Sequence, residues 1–401
     1  MKILFIHDFY QRFGGEDAVA QSELRLLQEH GEDVVPYTRH NDEIKDYRLW
    51  QKLTLPAEVI HSRRTRDDLS DLVEKHRPDV AYIHNFFPLI SPSVYGSLRS
   101  LNVPCVQVVH DFRMMCANGV FYTHGHICEL CKHGNFLHAV RNRCYRESYV
   151  ASAVAAAAIG FHRLAGVLDK IDGHICLTEF TRQKLLEIGV ASERLFLKPN
   201  FIDASQVLPS PGGGGYVLFL GRLSKEKGLW TLIRAFEKLP HLPLKIVGTG
   251  ELEDDLRNYV VQKKLDHIEL VGFKTGQEKW DLLLGSLFVV IPSEWFETFC
   301  LVALEAYAAG KAVLASRIGS LPYVVEEAVT GRLFEAGNAN DLAARATEMA
   351  NRSDELQLMG KRGRQLVETK YSPEQNYRRL MDIFSSIAPA RMPESLPLAV
   401  G

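Results

Sequence analysis

Cysteine is sparse in this chain, with seven in 401 residues. That scarcity excludes a secreted disulfide scaffold, because a chain of this length builds a core that needs no staples. Long hydrophobic runs are absent as well: no apolar stretch reaches the ~18 residues that a membrane-crossing helix needs. Neither sign of charge dominates. Lys and Arg number 47 against 49 Asp and Glu, a formal net charge of −2, which argues against wholesale nucleic-acid binding. The G-x-G-x-x-G that an NAD-dependent dehydrogenase needs after a strand is missing from the glycine stretch near residue 14. What remains is 46% hydrophobic and 24% charged, the balance of a folded globular chain. Residues 1–8 read as a core strand rather than a cleaved leader. The expected compartment is therefore the cytosol, with its thiols reduced.

The length predicts two to three domains. Apolar runs at 2–9, 33–37, 79–84, 103–110, 174–177 and 194–197 read as strands, with a helix over 14–30. They are continuous rather than alternating, as strands buried on both faces should be. Strand and helix in alternation mean a parallel, doubly wound sheet. Leu208-Pro209-Ser210-Pro211-Gly212-Gly213-Gly214-Gly215 then reads as a linker. After it the pattern restarts, with strands at 216–220, 244–247, 268–271, 287–291, 312–315 and 331–334. The predicted class is α/β, with two Rossmann-like domains, 1–207 and 216–372, facing a cleft. Residues 373–401 add a helix over 373–387, expected to pack back on the first domain, and a loose tail. Ligands of such sheets sit at the carboxyl ends of the strands, here toward the cleft.

Two segments carry chemistry. Gly221-Arg222-Leu223-Ser224-Lys225-Glu226-Lys227-Gly228 follows the strand at 216–220. A strand, a tight loop with cations and then a helix make an anion cradle, in which Arg222 grips phosphate oxygens and Lys227 supplies a point charge. The competing reading is a solvated basic turn. The second segment runs from Pro292 to Ala306. Its Glu297 and Glu305 are eight residues apart, a little over two helical turns, so both could face one side. Glu305 in an apolar helix needs hydroxyl or cationic partners, and vicinal ribose hydroxyls fit. A structural Glu capped by a neighbouring Arg is the alternative. The amides of Thr298, Phe299, Cys300 and Leu301 open the helix and point at an anion.

Taken in order, these segments resemble the retaining glycosyltransferases of family 4, which have the GT-B architecture. The likeness includes Phe13-Gly14-Gly15-Glu16, Pro199-Asn200-Phe201-Ile202-Asp203 and Thr330-Gly331-Arg332-Leu333-Phe334. It implies metal-independent transfer of a sugar from a UDP- or GDP-sugar to a glycan or lipid-linked acceptor. By this resemblance Arg222 and Lys227 neutralise the leaving diphosphate, Glu305 holds the ribose and Glu297 lies near the donor sugar. Gly14 and Gly15 let backbone amides approach the donor phosphate. His110 contacts the donor sugar near the reacting carbon. Gly248 and Gly250 shape the nucleotide loop, and Phe273 and Lys274 stand where the family contacts the base. Two departures stand out. Thr298-Phe299-Cys300 replaces Gly-Phe-Gly, which narrows the sugar pocket, and Tyr323 replaces a Glu. The other function class is a non-catalytic nucleotide-sugar-binding protein, which could dispense with His110 or Glu297.

Two further features stand apart. Cys116, Cys128, Cys131 and Cys144 lie in a His-rich stretch, and their spacing suggests a structural zinc site, with four unbound thiols as the alternative. The Ala-rich run 149–161 is flanked by Arg141, Arg143, Arg146, His162 and Arg163. Its readings are a peripheral membrane helix near a lipid-linked acceptor and a buried helix packed on the sheet. Its thin polar face favours the second.

Overall fold

The computed structural model describes residues 1–11, 14–205, 207–210 and 213–388. Phe13, the Pro211-Gly212 part of the linker and the expected loose tail beyond residue 388 lie outside these. The chain forms two six-stranded parallel sheets. The first contains β1 (Lys2–Phe9), β2 (Asp33–His40), β3 (Val80–Ile83) and β4 (Cys105–Val108). A small antiparallel hairpin, β5 (Tyr122–Thr123) and β6 (His126–Ile127), interrupts it before β7 (Gly173–Cys176) and β8 (Leu195–Leu197). The second contains β9 (Tyr216–Leu220), β10 (Leu244–Val247), β11 (Ile268–Gly272), β12 (Ser286–Ile291), β13 (Val313–Ser316) and β14 (Gly331–Phe334). The strand orders are β2-β1-β3-β4-β7-β8 and β11-β10-β9-β12-β13-β14. Two doubly wound α/β halves are what the apolar runs predict. Ile3, Leu4, Phe5 and Ile6 of β1 are at most 1% exposed, so successive side chains are buried on both faces.

In each sheet the first strand lies between two neighbours reached by opposite crossovers. The crevice beyond β1 and β3, and that beyond β9 and β12, are therefore the topological switch points. Three helices outside the segments read from the sequence join the first half: Leu49–Ile60, Arg63–His76 and Ser93–Ser100. Described linker residues are held in place: Ser210 N donates to the Ala309 carbonyl at 3.1 Å and Gly215 N to the Gly285 carbonyl at 3.2 Å, while just before the linker Arg364 Nη1 donates to the Val207 carbonyl at 2.8 Å.

The last helix, Pro373–Ile387, returns to the first half. Tyr377 stacks on His30 with ring centroids 3.8 Å apart, and Phe384 packs edge-on against Tyr82. The Ala-rich helix is Tyr149–Leu164 and packs chiefly on helices Leu49–Ile60 and Leu137–Arg141 rather than on the sheet. Its inner face is buried through Ala155, Ala158 and Ile159, while Tyr149, Val150 and Leu164 stay exposed. Among the described residues no helix is long and apolar enough to cross a membrane.

Candidate active site

The loop after β9 tightens into one short turn, Lys225–Lys227, and ends at Gly228 with φ 69. A Cβ there would stand 1.8 Å from the Pro292 carbonyl oxygen, so only glycine lets this loop lie against the one that follows β12. The contact brings Lys227 to Glu297, Nζ to Oε1, at 2.7 Å. Ser293 Oγ and Trp295 Nε1 donate to the same oxygen at 2.8 and 3.0 Å. Burial pulls the Lys227 ammonium down, but the Glu297 carboxylate outweighs it and holds the lysine above its ordinary value. Arg222 is exposed beside them and has no ion pair among the described residues. Gly248 and Gly250 belong to the same close approach. Cβ atoms there would reach the carbonyl oxygens of Gly221 and Leu223 at 1.9 and 2.3 Å.

The helix after β12 begins only at Leu301 and runs to Ala308. Glu297 therefore precedes it, and the expected two-turn alignment of Glu297 with Glu305 does not arise. Glu305 instead pairs with Lys279 at 2.8 Å, a lysine in place of the arginine weighed from sequence. The helix has no side-chain cap; the Ala303 amide donates to the Cys300 carbonyl at 3.2 Å, and the Val302 and Ala303 amides bear on the Cys300 thiol, which leaves the leading Leu301 amide to face an anion. Of the residues that replace Gly-Phe-Gly, Thr298 turns to the first half: its Oγ1 donates to the His110 carbonyl at 2.7 Å. Phe299 is buried, with its ring edge toward Tyr371. Burial pushes the Cys300 thiol up to about 12. Phe273 stays exposed after β11, and Lys274 pairs with Glu278 on the surface. Tyr323 sits partly exposed in the short helix Leu321–Val324.

From the first half, His110 follows β4 and Gly15 opens helix Gly15–Glu29 after β1. A Cβ on Gly15 would lie 3.6 Å from Leu301 Cδ1, so the two helix starts face each other across the cleft. The Gly14 amide is not free for a phosphate: it donates to Asp17 Oδ2 at 2.9 Å, closing the cap of its own helix. Next to His110, Asp111 pairs with Arg113 at 2.9 Å, and Tyr10 donates to Glu16 at 2.9 Å. Burial, then the charge of Asp111, pushes the Glu16 carboxyl well above its usual range. This acidic pair escapes a reading of the sequence; its only signal is that Glu16 and Asp111 adjoin Gly15 and His110.

The four cysteines of the expected zinc site share one neighbourhood. Burial and the thiols of Cys116, Cys144 and Cys128 bear on Cys131, which is pushed up to about 12. They are not arranged as ligands. Cys116 Sγ turns to Asn118 Oδ1 at 2.9 Å and Cys144 Sγ to Thr123 Oγ1 at 3.7 Å. All seven cysteines are free, and among the described residues no group of three His, Cys, Asp or Glu could hold a metal ion. At least two of the thiols read as ligands from the spacing thus point to local oxygen atoms rather than to one another.

The family described as Glycosyltransferase Family 4 matches residues 13–206, and that described as Glycosyl transferases group 1 matches residues 200–366. An uncharacterized glycosyltransferase of Methanocaldococcus jannaschii is 30% identical over 55% of this chain, a match that spans only 60% of that relative. The lipopolysaccharide 1,2-N-acetylglucosaminetransferase of Salmonella typhimurium is 31% identical over 82% of this chain and 77% of its own. Among solved structures, Anabaena HepE in complex with UDP-glucose superposes with a TM-score of 0.67 at 16% identity, over 96% of this chain and 100% of that one. The paired sheets, the cation loop at the second switch point and these matches over both halves agree, and the chain belongs to the family 4 glycosyltransferases with the GT-B fold.

Proposed function

We propose that this chain is a retaining glycosyltransferase that moves a sugar from a nucleotide-sugar donor to a hydroxyl of a glycan or lipid-linked acceptor. The observation that carries the reading is the Lys227–Glu297 pair beside the unpaired Arg222 at the second switch point, across the cleft from His110. The donor diphosphate lies between Arg222, Lys227 and the Leu301 amide that opens helix Leu301–Ala308. As the bond from C1 to the diphosphate breaks, negative charge grows on the leaving oxygen where these groups are already fixed. The acceptor oxygen bonds to C1 on the same face, and its proton passes to a phosphate oxygen of the leaving group. Glu305 exchanges Lys279 for ribose hydroxyls. On the acceptor side, Asp111 and Glu16 offer oxygens to sugar hydroxyls.

The acceptor's source is read from the surface. Leu49, Trp50 and Leu53 of helix Leu49–Ile60 are 76%, 61% and 73% exposed. This helix packs on helix Tyr149–Leu164, whose Tyr149 and Val150 are exposed as well. Arg48 and Lys52 lie among the first group, and Arg143 stacks on Tyr149 with Cζ 5.4 Å from the ring. Apolar side chains ringed by cations suit an anionic lipid surface.

The test is a panel of UDP- and GDP-sugars, assayed for transfer and hydrolysis with wild type and Arg222→Ala. One donor should be turned over, with kcat reduced about 10²–10³-fold by the substitution. A wild type that binds nucleotide yet turns over no donor would make the chain a binding protein instead.

A further inference from the structure

Behind His110 a line of buried polar groups runs through the first half to its far side. Lys198 Nζ pairs with Glu23 Oε1 at 2.5 Å, and neither side chain is exposed. Glu23 Oε2 accepts the hydroxyl of Tyr82 and lies 3.5 Å from His84 Nε2, within ion-pair reach but beyond a hydrogen bond, so this buried nitrogen has no other polar partner among the described residues. His84 Nδ1 and His110 Nε2 are 2.9 Å apart, and the two rings are stacked at 24°. Lys198 also donates to Asn376 of the returning helix at 3.2 Å. These groups come from five separate elements: helix Gly15–Glu29, β3 and its exit, the exit of β4, the exit of β8 and the last helix.

We propose that Glu23 and His84 are positioning residues that fix which nitrogen of His110 carries its proton. The inference rests on the reading that His110 faces the donor sugar. Burial holds both imidazoles well below the usual histidine range, so each is neutral and carries one proton. One N–H must then lie between the two rings, and its owner is open until a third group decides it. Glu23 is that group. A carboxylate in a dry setting favours an N–H directed toward it, which places the His84 proton on Nε2. His84 Nδ1 is then a bare acceptor, so His110 must donate from Nε2. His110 Nδ1, which has no hydrogen-bond partner among the described residues, is left with its lone pair. The sugar would meet an acceptor nitrogen at that edge rather than a donor. Lys198 and Tyr82 hold Glu23 in place and keep its charge compensated.

Glu23→Gln reverses the order. Lys198 retains the amide oxygen at the Oε1 position, which sets the amide nitrogen against His84 Nε2. That nitrogen donates, so His84 moves its proton to Nδ1 and gives it to His110, whose own proton shifts to Nδ1. The experiment is nitrogen-15 NMR of the histidine rings in the full chain without substrate, together with steady-state kinetics. In wild type both His84 and His110 should show the Nε2–H pattern, and in Glu23→Gln both should show Nδ1–H. The same substitution should lower kcat about tenfold or more while KM stays within about twofold, because the tautomer and not the pocket has changed. An Nδ1–H pattern on either ring of wild type overturns the proposal, and that measurement stands even if Glu23→Gln does not fold. A switched tautomer with unchanged kcat overturns it also. Wild type that transfers no sugar refutes the proposed function instead, and leaves the ring measurements as a separate result.

Discussion

Lys227 and Glu297 make the cost of breaking one ion pair depend on which partner is removed. The Glu297 side chain is 7% exposed and that of Lys227 is 24% exposed. Removing one partner of a buried pair costs about 3–5 kcal/mol because a charge is stranded. In Lys227→Met the stranded carboxylate keeps Ser293 Oγ at 2.8 Å and Trp295 Nε1 at 3.0 Å. Those donors, and the water that reaches Lys227, reduce the expected loss to about 1–3 kcal/mol. Glu297→Gln strands only the lysine, which can turn to solvent, and costs about 0–1 kcal/mol. The double variant should lie between the singles, leaving a coupling of about 1–2 kcal/mol. The sign with pH follows from the raised lysine. Its contribution is complete below the unfolded lysine value of about 10.4 and is lost as pH rises through the higher folded value. The difference between wild type and Lys227→Met should therefore hold at pH 7 and shrink in strong alkali. Urea unfolding followed by tryptophan fluorescence measures it, since Trp295 lies 5.0 Å from the Lys227 ammonium. In turnover both substitutions should lower kcat, Lys227→Met by about 10²–10³-fold. A Lys227→Met protein as stable as wild type at pH 7, or a Glu297→Gln loss larger than the lysine loss, would refute the asymmetry.

Three other outcomes follow. Thr298→Val removes the hydroxyl that reaches the His110 carbonyl at 2.7 Å; a loss of about 0.5–1.5 kcal/mol should lower kcat/KM about three- to tenfold, while circular dichroism shows the fold intact. Asp8 is fully buried, and burial raises its carboxyl to about 7. Its destabilising effect grows as pH rises from the unfolded value of about 3.9 toward that folded value, so Asp8→Asn should gain about 1–3 kcal/mol at pH 8 and nothing below about pH 4. Thermal melts at both pH values decide this; an equal gain at both would show that charge burial is not the cause. Replacing Leu49, Trp50 and Leu53 by Gln should abolish co-sedimentation with phosphatidylglycerol vesicles and leave hydrolysis of the donor unchanged; retained sedimentation would count against the lipid-facing patch.

The sheets were legible because strands buried on both faces leave unbroken apolar runs, such as those of β1 and β12. Helix Leu49–Ile60 was hidden by Pro56 within it and by an outer face as apolar as its inner one. In the site, the cation loop was legible because Arg222, Lys227 and Gly228 all lie in the short segment directly behind a strand. What the loop touches was not: Lys227 meets Glu297 only because the second sheet places β12 beside β9. Helical spacing misled for Glu297 and Glu305, since the helix starts after the first of them. Gly14 was read as a free amide, yet Asp17 three residues on takes it as a cap. Glu23, His84 and Lys198 are scattered over 175 positions, and no local pattern joins them.

The return of the final helix means the polypeptide passes between its halves twice. The two passages run side by side, for Ile202 N donates to the Tyr371 carbonyl at 3.0 Å. Two adjacent tethers restrain sliding and twisting of the halves more than a single one would, as a spine holds the covers of a book. A protease that severs the glycine-rich passage would leave the second tether intact, and the nicked chain should still elute as one body on gel filtration under native conditions.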